Sequence, residues 1–263
     1  MQIDALLAHL SEPLHLSENA VLLPLSGGTI NGAFYLVDNK NEYMVKCFEA
    51  SETVDINRLE RFRLQERLAK KRIAPRPIYL SAEACIYVEQ WVKQHRSQIP
   101  LFFDELHINL LAKTLSNIHR CKIELPIANL PVSWQHYLSS IPTINDYTHE
   151  RVAKATQAWE SHRRNESASW VLCHNDLAWA HVCVPTKLIL DWEYAALGNR
   201  FFDLLSCAKV NKFDNEQHEM LVAAYAKQND LSIEYAYEQC GIQAEFVDLT
   251  YSLWYKALGM QNA

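Results

Sequence analysis

Apolar and polar positions change their spacing once along the chain, near Trp91. Before that point, short apolar runs bounded by turn residues predict β-strands, because such runs fit a pleated, half-buried surface. The predicted strands are 21–25, 33–37, 43–48, 78–80 and 85–89. Apolar residues at helical spacing predict a short helix at 4–10 and a charged helix at 56–72. Beyond Trp91 the helical spacing predominates, at 102–119, 145–165 and 214–262.

This order predicts an α+β fold with two lobes. A small N-terminal lobe, residues 1–90, would hold an antiparallel sheet with one main helix. A larger and mainly helical C-terminal lobe would span residues 91–263. The crossing falls near 89–93 without a long linker, and a cleft between two lobes is a common place for a ligand site.

Two acidic residues of the second lobe stand in distinctive settings. Asp176 follows a short apolar run and the pair His174-Asn175, which places it on a loop. Apolar runs on both sides of a Pro-Thr turn signal then predict a tight hairpin over 182–190, which would bring Asp191 back close to Asp176. Phosphoryl transfer needs such a pair, since one carboxylate accepts the hydroxyl proton and another holds magnesium at the phosphates.

The sequence around both acids resembles the aminoglycoside phosphotransferase and choline kinase superfamily. The motif of that family runs His-x-Asp-x-x-x-x-Asn and continues to an Asp after a hairpin, and His174, Asp176 and Asp191 match it. The segment Leu-Asp-Trp-Glu-Tyr-Ala at 190–195 is most similar to bacterial thiamine kinase and choline kinase-like proteins. The resemblance extends from Leu25 to about Leu205. It implies a protein-kinase-like fold, ATP and Mg²⁺ as cofactors, a nucleotide-binding first lobe, and a second lobe for catalysis and substrate binding.

The resemblance also implies roles for single residues of the second lobe. Asp176 would be the catalytic base that accepts or orients the proton of the acceptor hydroxyl. His174 would hold the catalytic loop through a fixed ring tautomer, and Asp203 would anchor the same loop, unless it is only an acid at a helix N-terminus. Asp191 would ligate magnesium, in keeping with the high cost of a buried carboxylate that no cation compensates.

His181 departs from the family motif, which has asparagine at this position to bind a second magnesium ion. Magnesium prefers hard oxygen ligands, and an imidazole nitrogen serves it poorly. Three interpretations stay open: one metal ion suffices, His181 binds a softer ion such as manganese, or catalysis is impaired. We favour the first.

A glycine-rich segment between the first two predicted strands is a candidate phosphate-binding loop, because glycines let the backbone amides approach an anion closely. The residues expected to contact the nucleotide there are Gly27, Gly28, Thr29 and Asn31. Lys46 lies in an apolar strand, where an unpaired ammonium group would be costly. By resemblance it contacts the α- and β-phosphates and pairs with a helix glutamate, for which Glu60 is the first choice and Glu66 the competitor. Glu89 and Trp91 match the hinge, where backbone groups would bind adenine.

The site for the phosphate acceptor is expected on the C-terminal helix and at the end of the hairpin segment. Residues at offsets of three and four share one helix face, and aromatic faces beside a carboxylate can hold a cation. The candidates are Asp248, Tyr251, Trp254 and Tyr255 on the helix, with Tyr194 and Glu193 from the hairpin segment. Ordinary core packing of these aromatic residues is the alternative.

The composition limits the classes of binding partner that we expect. The formal charge of −6 and the lack of a basic stripe argue against nucleic acid. The seven cysteines are scattered and form no Cys-x-x-Cys, so neither a zinc site nor a disulfide framework is expected, and a reducing cytoplasmic compartment is favoured. No secretory signal or membrane span is expected. We expect a monomer or a homodimer that binds a small molecule.

Together these features predict an ATP- and magnesium-dependent kinase that phosphorylates a hydroxyl group of a small cationic metabolite. Thiamine is the first candidate, and choline or an ethanolamine-like amino alcohol the second. The alternatives are an aminoglycoside-type phosphotransferase and, because of His181, a nucleotide-binding relative without catalytic activity.

Overall fold

A five-stranded antiparallel sheet with the strand order β1-β2-β3-β5-β4 forms the centre of the N-terminal unit. The computed structural model describes residues 2–25, 32–48, 56–93, 100–165 and 170–260, with the backbone alone at 164 and 165. The strands are β1 (Val21–Pro24), β2 (Gly32–Asp38), β3 (Asn41–Cys47), β4 (Pro77–Leu80) and β5 (Ile86–Gln90). All five lie where the apolar runs predicted them.

The two faces of this sheet differ because side chains alternate along each strand. On one face, Val45 and Val88 form a buried core with Leu6 and Leu10 of helix α1 (Ile3–Leu14). The opposite face carries polar side chains and lies beside helix α2 (Arg58–Lys70), whose Asn57 cap accepts a hydrogen bond from the Glu60 N–H. Helix α1 is longer than predicted and includes Pro13 in its last turn, where the proline supplies no N–H donor to the helix.

A second, very short hairpin belongs to the same unit although it comes late in the chain. Its strands are β7 (Val182–Cys183) and β8 (Leu188–Ile189). The Ile189 N–H donates to the carbonyl of Ile73 at 2.8 Å, which ties the hairpin to the segment after α2. By contacts, residues 182–193 group with the described residues of 1–96, whereas the predicted boundary assigned them to the second lobe.

The C-terminal unit is mainly helical. Its helices are α3 (Glu105–Arg120), α4 (Leu130–Ser140), α5 (Asp146–Asn165), α6 (Arg200–Val210), α7 (Asn215–Gln228) and α8 (Ile233–Ala257). A two-stranded sheet of β6 (Trp170–Cys173) and β9 (Ala196–Asn199) leads into the loop that carries Asp176. Helix α3 packs on α7, and α6 packs on α8.

The helical region predicted at 214–262 is divided into two helices. Helix α7 ends at Gln228, and Asp230 adopts a left-handed φ of 54° before Ser232 caps α8. Aspartate tolerates this conformation better than most residues. The α+β class and the order of a sheet followed by helices are confirmed. Of the helices that the structure describes, none has the length and apolar character needed to cross a bilayer.

The sheet core gives a direct test of the N-terminal unit. Leu36 of β2 is fully buried and Leu23 of β1 is 48% exposed. We expect Leu36→Ala to lower the free energy of unfolding by about 2–5 kcal/mol, because it leaves a cavity, and Leu23→Ala to change it much less. Urea denaturation of both variants measures the difference. Equal losses would contradict the assigned strand faces.

Candidate functional site

The loop that carries Asp176 is fixed by a buried acid on helix α6. Asp203 is fully buried, and its carboxylate accepts the backbone N–H of His174 at 2.8 Å and that of Asn175 at 2.6 Å. Asn175 has a left-handed φ of 64°, a conformation that asparagine tolerates well. The two bonds hold the residues immediately before Asp176 in a single geometry.

Asp203 is itself held by two residues that sequence reasoning missed. His119 of α3 contacts Asp203 Oδ2 through Nε2 at 3.0 Å, and its Nδ1 lies 2.6 Å from the Tyr225 hydroxyl of α7. Burial raises the pKa of Asp203, but the hydrogen bonds and charges around it, with His119 foremost, lower it more, and the net pKa is lowered. The carboxylate is therefore stabilised in its charged, accepting form. Its position in the first turn of α6 accounts for the alternative reading as an N-terminal acid.

Two histidines hold the backbone of Asp176 from opposite ends of the residue. His174 is fully buried, and its Nδ1 accepts the Asp176 N–H at 3.3 Å. The Nδ1 atom of His181 lies 2.8 Å from the Asp176 carbonyl oxygen. Because a carbonyl oxygen only accepts, this nitrogen of His181 carries the proton. The two rings stack with centroids 5.9 Å apart.

These contacts give His181 a positional task in place of the asparagine of the motif. It holds the carbonyl of the residue expected to be the base. With its Nδ1 protonated, His181 has only Nε2 left as a possible metal ligand, and imidazole is a poor ligand for magnesium. The three interpretations of His181 stay open.

The predicted aromatic acceptor residues of the C-terminal unit lie together. The Trp254 indole N–H donates to the Tyr194 hydroxyl at 3.0 Å, and Tyr255 packs edge-on against Trp254 with ring centroids 5.0 Å apart. Tyr251 is on the same helix face, where its hydroxyl donates to the Ser206 carbonyl at 3.4 Å. Burial raises the pKa of the Tyr251 phenol well above its usual value, and the charge of Asp176 adds to the rise. Tyr251 thus lies within electrostatic reach of Asp176.

The two predicted acceptor-site acids are engaged with basic side chains. Asp248 is exposed and forms a 2.6 Å ion pair with Lys209 of α6. Glu193 forms a 2.7 Å ion pair with Arg58 of α2, inside the N-terminal unit. The guanidinium of Arg58 also lies 3.7 Å from the centroid of the Phe48 ring. Neither acid is therefore positioned by these contacts to attract a cationic substrate.

In the N-terminal unit, Lys46 and Asp191 form the centre of a charged cluster. The Lys46 ammonium lies 2.7 Å from Asp191 Oδ1. Burial lowers the pKa of Lys46, but the charges of Asp191, Glu89 and Glu193 together raise it by more, so the net pKa is raised. Asp191 has a φ of 64°, an uncommon conformation for a residue other than glycine, and it follows directly on the apolar residues of the hairpin.

This cluster fits the magnesium that the resemblance implies. A carboxylate offers the hard oxygen atoms that Mg²⁺ prefers. The surrounding acids outnumber Lys46 and favour a bound cation. Asp191 is the residue of this cluster that would hold the ion, and Lys46 the residue that would face a phosphate.

The expected partner of Lys46 needs correction. Glu60 and its competitor Glu66 are both exposed on α2, and the ion pair of Lys46 is with Asp191. Glu60 lies in the first turn of α2, where its N–H bonds the Asn57 cap, and this position turns its side chain to solvent.

The hinge expectation concerned the backbone at Glu89 and Trp91. The Trp91 N–H donates to the Glu42 carbonyl at 3.1 Å, and the Gln90 N–H donates to the Arg76 carbonyl at 2.8 Å. These donors are thus used within the sheet, and the Trp91 ring packs against Tyr35 at 4.6 Å. Glu89 is buried within β5. The predicted phosphate loop with Gly27, Gly28, Thr29 and Asn31 lies outside the described residues.

One family model and several solved structures are similar to this chain. The sequence model of the phosphotransferase enzyme family matches residues 21–240. Among solved structures, choline kinase LicA from Streptococcus pneumoniae is similar, with a TM-score of 0.71 and 19% identity over 97% of this chain and 90% of that one. A choline/ethanolamine kinase family protein from Mesorhizobium loti has a TM-score of 0.70 and 19% identity, over 97% of this chain and 85% of that one.

A third similar solved structure contains two small molecules. The protein APH(2″)-IIa, in a ternary complex with streptomycin and ATP, has a TM-score of 0.64 and 15% identity, over 98% of this chain and 94% of that one. No curated protein sequence matches the chain. At these identities the structural likeness establishes the fold.

The buried carboxylate of α6 generates a stability prediction. Asp203→Asn places an amide N–H₂ where two backbone N–H groups need an acceptor, so we expect a loss of about 3–5 kcal/mol in the free energy of unfolding. Asp214→Asn is the matched control, because Asp214 is an exposed N-cap and asparagine caps equally well. Chemical denaturation at neutral pH compares the two.

The pH dependence follows from the lowered pKa of Asp203. Its contribution to stability is complete above the pKa of unfolded aspartate, about 4, and is lost as pH falls through the lower folded value. The Asp203→Asn variant should therefore lose less stability than wild type below about pH 4. Equal losses of stability in the two proteins as the pH falls would contradict this assignment.

Proposed function

The chain belongs to the phosphotransferase enzyme family, and we propose that it transfers the γ-phosphate of ATP to a hydroxyl group of a small cationic metabolite. Thiamine is our first candidate and choline or an ethanolamine-like amino alcohol our second. The observation that carries the proposal is the loop geometry of Asp176. Its backbone is fixed by His174, His181 and Asp203, and Tyr251 of the aromatic group lies within its electrostatic reach.

Asp176 supplies the chemistry at the acceptor. A carboxylate at the end of a rigid loop can accept the hydrogen bond of an alcohol and orient its oxygen for in-line attack, and it receives the proton as the new P–O bond forms. The reaction needs no covalent enzyme intermediate. The backbone bonds to Asp203 and the histidines fix the main chain that carries the carboxylate, which matters in a reaction dominated by positioning.

The N-terminal unit supplies the nucleotide chemistry in this proposal. Lys46 would contact the phosphates and Asp191 would hold Mg²⁺, whose charge offsets the negative charge of the phosphates. Adenine nucleotides are found with two of the similar solved proteins, since LicA was solved with AMP and APH(2″)-IIa with ATP. These printed ligands support ATP as the phosphate donor here.

The aromatic group of the C-terminal unit supports a cationic acceptor. Trp254 contacts both Tyr194 and Tyr255, and Asp248 and Glu193 are paired with Lys209 and Arg58. Recognition of a positive charge therefore falls on the aromatic faces, an attraction worth up to about 2 kcal/mol when the cation is desolvated. The names of the similar solved kinases, choline and choline/ethanolamine, favour the same class of acceptor.

An ADP-release assay over a panel of acceptors tests the function. The panel contains thiamine, choline, ethanolamine and several aminosugars, each with ATP and Mg²⁺. We expect release above the acceptor-free rate with a cationic alcohol. ATP binding without release for any acceptor would replace the proposal with a nucleotide-binding protein that lacks transferase activity, and release with aminosugars alone would favour the aminoglycoside-type alternative.

Asp176→Asn tests the assigned base. We expect kcat to fall by about 10²–10⁴-fold, the usual contribution of a positioned general base, with the affinity for ATP little changed. Steady-state kinetics and nucleotide titration measure the two quantities. Asp230→Asn is the control, since Asp230 is an exposed turn residue with a left-handed φ that asparagine also adopts. A variant at Asp176 with most of its turnover intact would remove this residue from the mechanism.

The charge of the acceptor is tested by a neutral analogue. If choline is turned over, 3,3-dimethylbutan-1-ol has the same shape without the charge. We expect its kcat/KM to be lower by about 30-fold, the equivalent of ~2 kcal/mol. Trp254→Leu should narrow the gap between the two acceptors, because it removes an aromatic face. Equal kcat/KM values for both in the wild type would show that the site selects shape alone.

A further inference from the structure

The face of the sheet that carries Lys46 also carries a buried carboxylate on the neighbouring strand. Lys46 of β3 is directly opposite Tyr87 of β5, and Glu89 lies two residues further along β5. Residues two apart on a strand point to the same face. Diagonal neighbours on paired strands lie about 7–8 Å apart, within reach of long side chains. Lys46 and Glu89 are such a diagonal pair.

Glu89 is held in place by two donors. It is 3% exposed, and its Oε2 atom accepts hydrogen bonds from the Gln65 amide of α2 and from the Tyr87 hydroxyl, the latter at 3.1 Å. The same Gln65 nitrogen donates to the Pro75 carbonyl at 3.1 Å, so its orientation is fixed as well. Helix α2 thus presents an amide, not a carboxylate, to this face.

Electrostatics agrees with the geometry. Burial raises the pKa of Glu89, the charge of Lys46 and the hydrogen bond from Gln65 lower it, and the net pKa is raised. Reciprocally, the charge of Glu89 helps to raise the pKa of Lys46. A buried charge is tolerated only when it is paired and hydrogen-bonded, and each of these two groups supplies part of what the other needs.

We propose that Glu89 is the counter-charge that positions Lys46 for the nucleotide phosphates, and that Gln65 and Tyr87 keep Glu89 in place. The inference rests on the proposed role of Lys46 in nucleotide binding. Asp191 is the anion in direct contact with Lys46 and is also the proposed magnesium ligand. If the Asp191 carboxylate held the ion, Glu89 would still offset the charge of the ammonium group. Glu89 is therefore a positioning residue, and the exposed glutamates of α2 are not required for this task.

A double-mutant cycle without nucleotide tests the pairing itself. The four proteins are wild type, Lys46→Met, Glu89→Gln and the double variant, compared by the midpoint of urea denaturation. We expect Lys46→Met to lower the midpoint less in the Glu89→Gln background than in wild type, because the partner charge is already absent. A second cycle with Glu66→Gln, the same change on the exposed side of α2, should be additive.

Nucleotide kinetics test the consequence for the site. We expect Glu89→Gln to raise the KM for ATP by about tenfold, the equivalent of ~1.4 kcal/mol, and to leave the KM for the acceptor unchanged. The swapped variant Gln65→Glu/Glu89→Gln returns a carboxylate to the other end of the same hydrogen bond and should recover most of the loss. A protein damaged only in its packing would not be rescued by this exchange.

The outcomes separate this inference from the proposed function. Additivity of Lys46→Met with Glu89→Gln, or an unchanged KM for ATP in Glu89→Gln, overturns the inference. A loss of ATP affinity on Glu60→Gln or Glu66→Gln would show that a glutamate of α2, and not Glu89, positions Lys46. If Lys46 and Glu89 are coupled but neither the wild type nor any variant turns over ATP, the pairing of the two residues is supported and the proposed kinase activity is refuted. If Lys46→Met does not fold, the swapped variant alone still decides.

Discussion

The hydrogen bonds from the backbone of residues 174 and 175 to the Asp203 carboxylate are the constraint on which the loop that carries Asp176 depends. A short loop after a strand leaves backbone N–H groups that must find acceptors, and a buried N–H without one is costly. A charged carboxylate at the start of α6 accepts two of them at once. His119 and Tyr225 then connect this acid to α3 and α7. The backbone position of Asp176 is therefore set by three helices of the unit, although the residue lies on a loop.

The N-terminal unit meets a different requirement, which is to hold a lysine ammonium on the face of a sheet. Three acids, Asp191, Glu89 and Glu193, lie close enough to raise the pKa of Lys46. Arg58 neutralises Glu193, so the remaining charges favour a cation beside Asp191.

Much of the fold could be predicted from the sequence, because the signals are local. The strands at 33–37 and 43–48 follow from apolar runs beside a turn, and α3 follows from helical spacing. The signature around Asp176 and Asp191 also identified the family, which the match over residues 21–240 confirms. Helices α4 and α6 were not predicted, since their bounds depend on packing within the C-terminal unit.

The long-range pairs could not be predicted in the same way. The pairing of Asp248 with Lys209, and that of Glu193 with Arg58, join residues far apart in sequence, and nothing in the local pattern indicates them. Glu89 shows the limit most clearly. Its place in a strand was predicted, but the strand register that sets it diagonal to Lys46 is a property of the folded sheet. The expectation of a helix glutamate came from the resemblance, and this chain has Gln65 on the relevant helix face instead.

The location of that carboxylate has a consequence for control of activity. In protein kinases the acid that pairs with the lysine belongs to a mobile helix, so moving the helix switches the enzyme on or off. Here the acid and the lysine are on adjacent hydrogen-bonded strands, and a displaced α2 would loosen one amide contact without separating the two charges. If Glu89 is the counter-charge of Lys46, as we propose, a swing of α2 would not separate the pair, and the geometry of the pair would be set by the sheet.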